Sequence, residues 1–241
     1  MRLTPMPVNN WYAGNNDNVT DDGNVNGWSD LSNQAFGNNI AGGFSYRFGP
    51  VINNYGTWGQ LIYATQNDLR SADFSNPSGL NGHMPNSPGP DDSNWVQGHL
   101  VNGECGGRGD EAAYLTPITH NLNKLHRGYE AVLQRLVNRG ATSGLPTMSF
   151  NPNNIPNSRL IYRTHGFNPP APGFPNVPRA ICVSLGIVIE GTMQSENNVL
   201  NEFSTGVGVN RWFADRYYNS QGTNDRNKII EMIGGVELAY P

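Results

Sequence analysis

Charge is scarce in this sequence. Of 241 residues only 14% are Asp, Glu, Lys or Arg, against about a quarter in an ordinary soluble domain. Asn, Gly, Ser and Thr stand in their place. The remaining charge leans negative, with a formal net value of −4. The chain therefore lacks the broad basic surface of a protein that grips nucleic acid by electrostatics alone; any attraction for phosphate must be local to one groove. Cysteine is nearly absent: Cys105 and Cys182 are the only two, with no C-x-x-C. Two thiols cannot build a structural zinc site, and the sequence leaves open whether they form one disulfide or stay unpaired. Long apolar runs are missing too. The longest, Ala180–Glu190, has the length of a strand and falls far short of the roughly 18 residues of a membrane span. The opening segment MRLTPMPVNNWYAGNND has no basic start leading into an apolar stretch, so it does not read as a classical secretory signal.

What is present supports a core. Hydrophobic residues make up 37% and aromatics 10%, and the length suits one domain over residues 1–241. With 29 Gly and 17 Pro, that domain should be rich in loops. Residues 1–40, dense in Asn, Gly and Asp, read as an irregular segment. Gly43–Gly49, Trp58–Thr65, Trp95–Val101, Arg159–Arg163 and Ala180–Ile189 read as strands. Between them, residues 71–94, 102–111 and 144–158 read as turns and loops, and the proline-rich NPPAPGFPNVP as the connection between the last two strands. Thr119–Asn138 is the clearest helix. Leu122, Leu125, Tyr129, Val132, Leu133 and Leu136 recur at helical spacing, Thr119 or Asn121 can cap the start, and Arg139-Gly140 ends it. Short helices are expected over Asn210–Tyr218 and Asp225–Ile233. The fold class predicted is α+β, with a mixed or antiparallel sheet, few helices and long loops.

Chemistry concentrates in Gly98–Glu130, the core of a unit spanning residues 95–140. His99 sits on a short apolar strand before a glycine-rich turn, and its near-neutral intrinsic pKa suits it to take a proton from water. In the helix that follows, positions 123, 126 or 127, and 130 share a face. The leucine stripe should be buried, Leu125 with it, which leaves Asn123 and Glu130 beside a cleft. An amide oxygen and a carboxylate are hard ligands suited to Mg²⁺, which keeps several of its waters. Taken singly each residue is ordinary: a solvated helix asparagine, a surface glutamate, a histidine at the edge of a core. Together they are the minimum for metal-assisted phosphodiester cleavage.

The motifs carry a resemblance. Gly98-His99-Leu100-Val101-Asn102 is followed by Gly106-Gly107-Arg108-Gly109, then Tyr114-Leu115-Thr116-Pro117-Ile118-Thr119, then Asn123, His126 and Glu130. These about 35 residues resemble the DNA/RNA non-specific endonucleases of the ββα-metal, or His-Me finger, superfamily, in the branch found among bacterial toxin effectors. The resemblance implies a strand, glycine-rich loop and metal-binding helix. It implies His99 as general base, Asn123 as a direct ligand of Mg²⁺ or Mn²⁺, and Glu130 as the holder of metal waters. It implies DNA or RNA as substrate, and an immunity protein or delivery machinery as partners. With no classical signal, such a protein would sit in its producer's cytoplasm until exported as an injected effector. Arg127, Arg135 and Gln97 are candidate substrate contacts, and His126 and Asn102 belong to the motif without an assigned role.

Two departures stand out. The wider family has Asp-Arg before Gly-His, where this chain has Val96-Gln97, which removes a phosphate-clamping charge. Tyr114 replaces an asparagine. The alternative is a non-catalytic binding or structural protein on a nuclease-like fold, favoured by the negative charge and the missing arginine. Arg108-Gly109-Asp110 spells RGD but belongs to the glycine turn. His83 sits in a loop, His120 at a helix start that disfavours a charged imidazole, and His165 reads as part of a turn.

Overall fold

The computed structural model describes residues 44–49, 51–63, 77–105, 107–137, 149–150, 158–171, 173–190, 192–204, 213–214 and 220–240. The irregular segment expected over residues 1–40 lies outside them, as does most of 144–158.

The main sheet is built on one long hairpin. Strands β8 (Arg159–Ala171) and β9 (Phe174–Ile189) pair antiparallel, β4 (Trp58–Tyr63) lies along β8, and β1 (Phe44–Phe48) along β4. On the far side β9 carries β10 (Thr192–Met193) and β12 (Val236–Ala239) at different points along its length. Every pairing among the described residues is antiparallel. Three two-stranded ladders accompany the sheet: β2 (Val51–Ile52) with β3 (Tyr55–Gly56), β5 (Trp95–His99) with β6 (Leu115–Thr119), and β7 (Ser149–Phe150) with β11 (Phe213–Ala214). The helices are α1 (His120–Val137), α2 (Glu196–Ser204) and α3 (Ser220–Gly234). The class is α+β.

Register assigns the two faces, because residues directly opposite one another share a face. Leu61, Tyr162 and Leu185 line up across β4, β8 and β9. They join Tyr129, Val132, Leu133 and Leu136 of α1 and Ile229, Met232 and Ile233 of α3 in the principal core. The other face holds a smaller cluster of Ile62, Ile161 and Val188, with Gln60, Arg163 and Ser184 buried in a row beside it.

Several expectations are corrected. The proline-rich stretch is not a separate connection: it is the end of the β8–β9 hairpin, paired through Pro170↔Pro178 and Ala171↔Phe174, with register shifts between Phe167 and Ala171. The irregular register accommodates residues that cannot donate an N–H, and Gly173 turns the chain at φ +77. His165 is no turn residue. It is buried in the middle of β8, opposite Trp58 and Cys182. Of the helix expected over Asn210–Tyr218 only Phe213–Ala214 is described, and it is a strand. Strand β6 and helix α2 were not foreseen. Pro117 within β6 is tolerated because a two-stranded ladder leaves one edge of each strand unpaired. Cys105 and Cys182 are both buried, and no disulfide joins them. No helix among the described residues is long and apolar enough to cross a membrane.

The largest correction concerns the phase of α1. Leu125 is 43% exposed, whereas His126 and Glu130 are buried at 1% and 3%. The buried face runs through Leu122, His126, Tyr129, Glu130, Leu133 and Leu136, so Glu130 lies within the packed face of the helix and not off it.

Candidate active site

The site is a strand, loop, strand and helix in immediate succession. Strand β5 pairs with β6 from Trp95↔Thr119 to His99↔Leu115, and α1 begins at the next residue. Gly98 allows the close pairing: a Cβ there would meet Ile118 Cδ1 at 2.3 Å. Thr119 caps α1, accepting the Leu122 N–H at 3.3 Å and donating its hydroxyl to Asp91 Oδ2 at 2.6 Å. Strand alternation sends Trp95, Gln97 and His99 to one side. Trp95 packs edge-on against Phe174 and Tyr240. Gln97 accepts the Leu80 N–H at 2.8 Å and donates to Asn81 Oδ1 at 3.0 Å. Both ends of its amide therefore hold the 77–94 loop, where the sequence suggested a substrate contact.

His99 is half-buried, and its Nε2 is inaccessible yet has no hydrogen-bond partner among the described residues. Burial, and then the neighbouring His126, push its pKa below the ordinary 6.5. The imidazole is thus held neutral near pH 7, able to accept a proton. The glycine turn closes over it: a Cβ on Gly109 would lie 2.7 Å from Nε2. The Gly109 carbonyl accepts the N–H groups of Ser78 and Gly79 at 2.8 and 3.0 Å, which fixes the turn to the preceding loop.

Asn102 ties the same turn to the helix. Its carbonyl accepts the N–H groups of Cys105 and Gly107 at 2.9 and 3.0 Å, and its Nδ2 donates to Glu130 Oε2 at 2.8 Å. Gly107 must be glycine, since a Cβ would meet the Val101 carbonyl oxygen at 1.8 Å. The other Glu130 oxygen, Oε1, is buried without a hydrogen bond and lies 3.7 Å from His126 Nε2. That same nitrogen is 3.1 Å from the Tyr162 hydroxyl and 3.5 Å from Thr164 Oγ1. Burial, with the Glu130 charge adding to it, drives the Tyr162 pKa well above its ordinary value, so the phenol keeps its proton.

The structure thus gathers Asn102, His126 and Glu130 into one buried network, with His99 next to it. Asn123 lies one turn earlier on the stripe of His126 and Glu130, half-exposed, and Arg127 is exposed on the same stretch of helix. Arg135 is elsewhere: its guanidinium forms a two-pronged bridge to Asp225 of α3 at 2.6 and 2.7 Å, so the fork that would meet a phosphate is occupied. Tyr162, Thr164 and Gly109 complete the surroundings. Sequence reasoning missed Tyr162 and Thr164, because nothing in the local pattern of β8 ties its residues to a helix more than thirty positions away; Gly109 was read only as part of the glycine-rich turn.

No three His, Cys, Asp or Glu side chains among the described residues are grouped to enclose a metal. The donors present are of a different kind: an orphaned buried carboxylate oxygen on Glu130 and a half-exposed amide on Asn123. A hard cation that takes one or two protein oxygens and keeps its waters fits such a set, whereas a thiophilic or fully caged ion does not. A buried carboxylate oxygen without a donor is also costly unless a cation or water satisfies it.

No protein-family model matches the chain, and no curated protein does. One solved structure, described as an extracellular endonuclease, is similar over 67% of this chain and 72% of that one, at 15% identity and a TM-score of 0.38. A likeness of that extent says nothing about activity.

Proposed function

We propose that this protein is a metal-dependent endonuclease hydrolysing phosphodiester bonds of DNA or RNA. One observation carries the reading: a neutral His99 imidazole beside the buried His126–Glu130 pair, on consecutive strand, loop, strand and helix elements. His99 takes the proton of the attacking water on its imidazole. Asn123, with Glu130 directly or through water, would hold Mg²⁺ or Mn²⁺, which when bound supplies positive charge to the phosphate and the leaving oxygen. Asn102 fixes Glu130 Oε2 and so aims Oε1. His126, backed by Tyr162 and Thr164, lines the buried side of that carboxylate. Gly109 confines the His99 ring, so the base needs little reorganisation. Arg127, exposed on α1, would be a contact to substrate phosphate.

The reading extends to a single nuclease-like domain over residues 1–241, with 95–140 as the ββα-metal core. It extends also to a bacterial toxin effector, made in the cytoplasm and exported, with an immunity or delivery partner. That extension is supported by the motif resemblance alone. The negative charge and the committed Gln97 amide favour the second reading, a non-catalytic binding protein on this fold.

Supercoiled plasmid and total RNA, incubated with the protein in Mg²⁺ or in EDTA, separate the two. Degradation that needs Mg²⁺ supports the nuclease. Well-folded protein that degrades neither polymer with Mg²⁺ or Mn²⁺ supports the binding role.

A further inference from the structure

Phosphodiester cleavage wants a cation on the scissile phosphate in addition to any metal, and the strand that carries His99 does not supply it. Gln97 stands two residues before the base, and its amide is occupied by Leu80 and Asn81. Other cations are engaged away from the site. Arg135 is on Asp225, Arg179 on Glu237, and Lys228 on the Gly128 carbonyl. Arg163 is buried on the opposite face of the sheet from Tyr162 and Thr164, the two residues that touch His126.

Arg108 differs. It immediately precedes Gly109, the residue packed against His99 Nε2, and consecutive Cα atoms are only about 3.8 Å apart. Its side chain is 49% exposed and paired with Asp110, itself 36% exposed, with Glu111 at 3.6 Å. The guanidinium lies 5.2 Å from the centre of the Tyr114 ring, a flat support that keeps a cation in place while leaving its N–H edge to an acceptor. Tyr114 in turn packs edge-on against Phe48 and accepts the Leu100 N–H, which fixes it beside the end of β5.

We infer that Arg108 binds the scissile phosphate at this site, a contact separate from that of Arg127 on α1, and that Asp110 and Glu111 are internal counter-ions which a substrate phosphate displaces. The inference rests on the nuclease reading. An exposed ion pair is weak in water, and a phosphate offers the guanidinium the same bidentate geometry as a carboxylate with more charge. The exchange accounts for a net-negative chain engaging nucleic acid. The turn carries its own anion, so the cation is neutralised until substrate arrives.

The test uses the full chain and a short fluorescent DNA duplex. Binding is read by anisotropy in the His99→Ala background across a KCl series. Arg108→Ala should weaken binding at least tenfold and lower the slope of log affinity against log salt by about one. Arg108→Lys should fall between, and Asp110→Asn should tighten binding. In the cleavage-competent protein Arg108→Ala should raise KM more than it lowers kcat, at unchanged Tm. Arg108→Ala within twofold of its parent in affinity and slope, where the parent binds, overturns this inference and leaves the nuclease reading standing. A parent that neither binds nor cleaves nucleic acid overturns both.

Discussion

Gly109→Ala tests the geometry around the base without touching a charged or metal-binding group. The added methyl would sit 2.7 Å from His99 Nε2, where ordinary contact begins near 3.4 Å, and 3.0 Å from Pro77 Cβ. Pro77 is the less able to move, because the two residues after it donate their N–H groups to the Gly109 carbonyl. The imidazole must therefore give, by about 0.7 Å. Misplacing a reacting group by about 1 Å costs on the order of a hundredfold, so kcat/KM should fall roughly ten- to a hundredfold. Stability should suffer little. Strain of about 1 kcal/mol in one side chain lowers Tm by about 2–4 °C in a protein of this size. Initial rates on plasmid, with a thermal melt on the same sample, read both quantities. Activity within twofold of wild type would refute the placement of the turn over His99. A large Tm loss accompanying the inactivity would show that the glycine serves folding instead.

Three further outcomes follow from the same geometry. Leu133 is fully buried and Leu125 is 43% exposed. Leu133→Ala should cost about 2–5 kcal/mol and Leu125→Ala under about 1 kcal/mol by denaturant titration; equal costs would mean that the helix phase is wrong. Arg135→Ala should leave cleavage unchanged and cost at most about 1 kcal/mol, since its bridge to Asp225 is partly exposed; a selective loss of activity would return Arg135 to the substrate. The pKa of His99 is lowered from 6.5, so the neutral base persists to more acidic pH. The acid limb of kcat/KM should therefore fall at a pH below 6.5, and a limb centred above 7 would contradict the burial of the ring. The linked stability has the same sign. Below pH 6.5 the unfolded chain binds a proton that the folded His99 resists, so stability is full above that pH and declines as pH falls.

The legible parts of the fold were those governed by local chemistry. Thr119 was readable as a cap because its hydroxyl serves the third residue of the helix, and β1 and β4 because apolar residues alternate there. The phase of α1 was less so. Reading the leucines as one stripe placed Leu125 inside, but the helix turns so that His126 and Glu130 are buried in its place. Their burial depends on Asn102 and Tyr162, partners 28 and 36 positions away, and a hydrophobicity pattern cannot see such partners. The prolines between Phe167 and Pro178 read as a break for a similar reason. Proline denies a ladder hydrogen bond locally, yet a hairpin with shifted register can still carry it. Of the candidate residues, His99, Asn102, His126 and Glu130 were legible as a motif and are neighbours in space. Gln97 and Arg135 were not separable from substrate contacts until Leu80, Asn81 and Asp225 were placed beside them.

The central claim is that His99 takes the proton from the attacking water. Its most direct test is plasmid cleavage by His99→Ala in saturating Mg²⁺, with and without added imidazole. Loss of a general base costs about 10²–10⁴-fold. The account expects a loss in that range, in a protein with the wild-type Tm, and partial recovery with imidazole in the medium. A His99→Ala protein cleaving within a few-fold of wild type would contradict it.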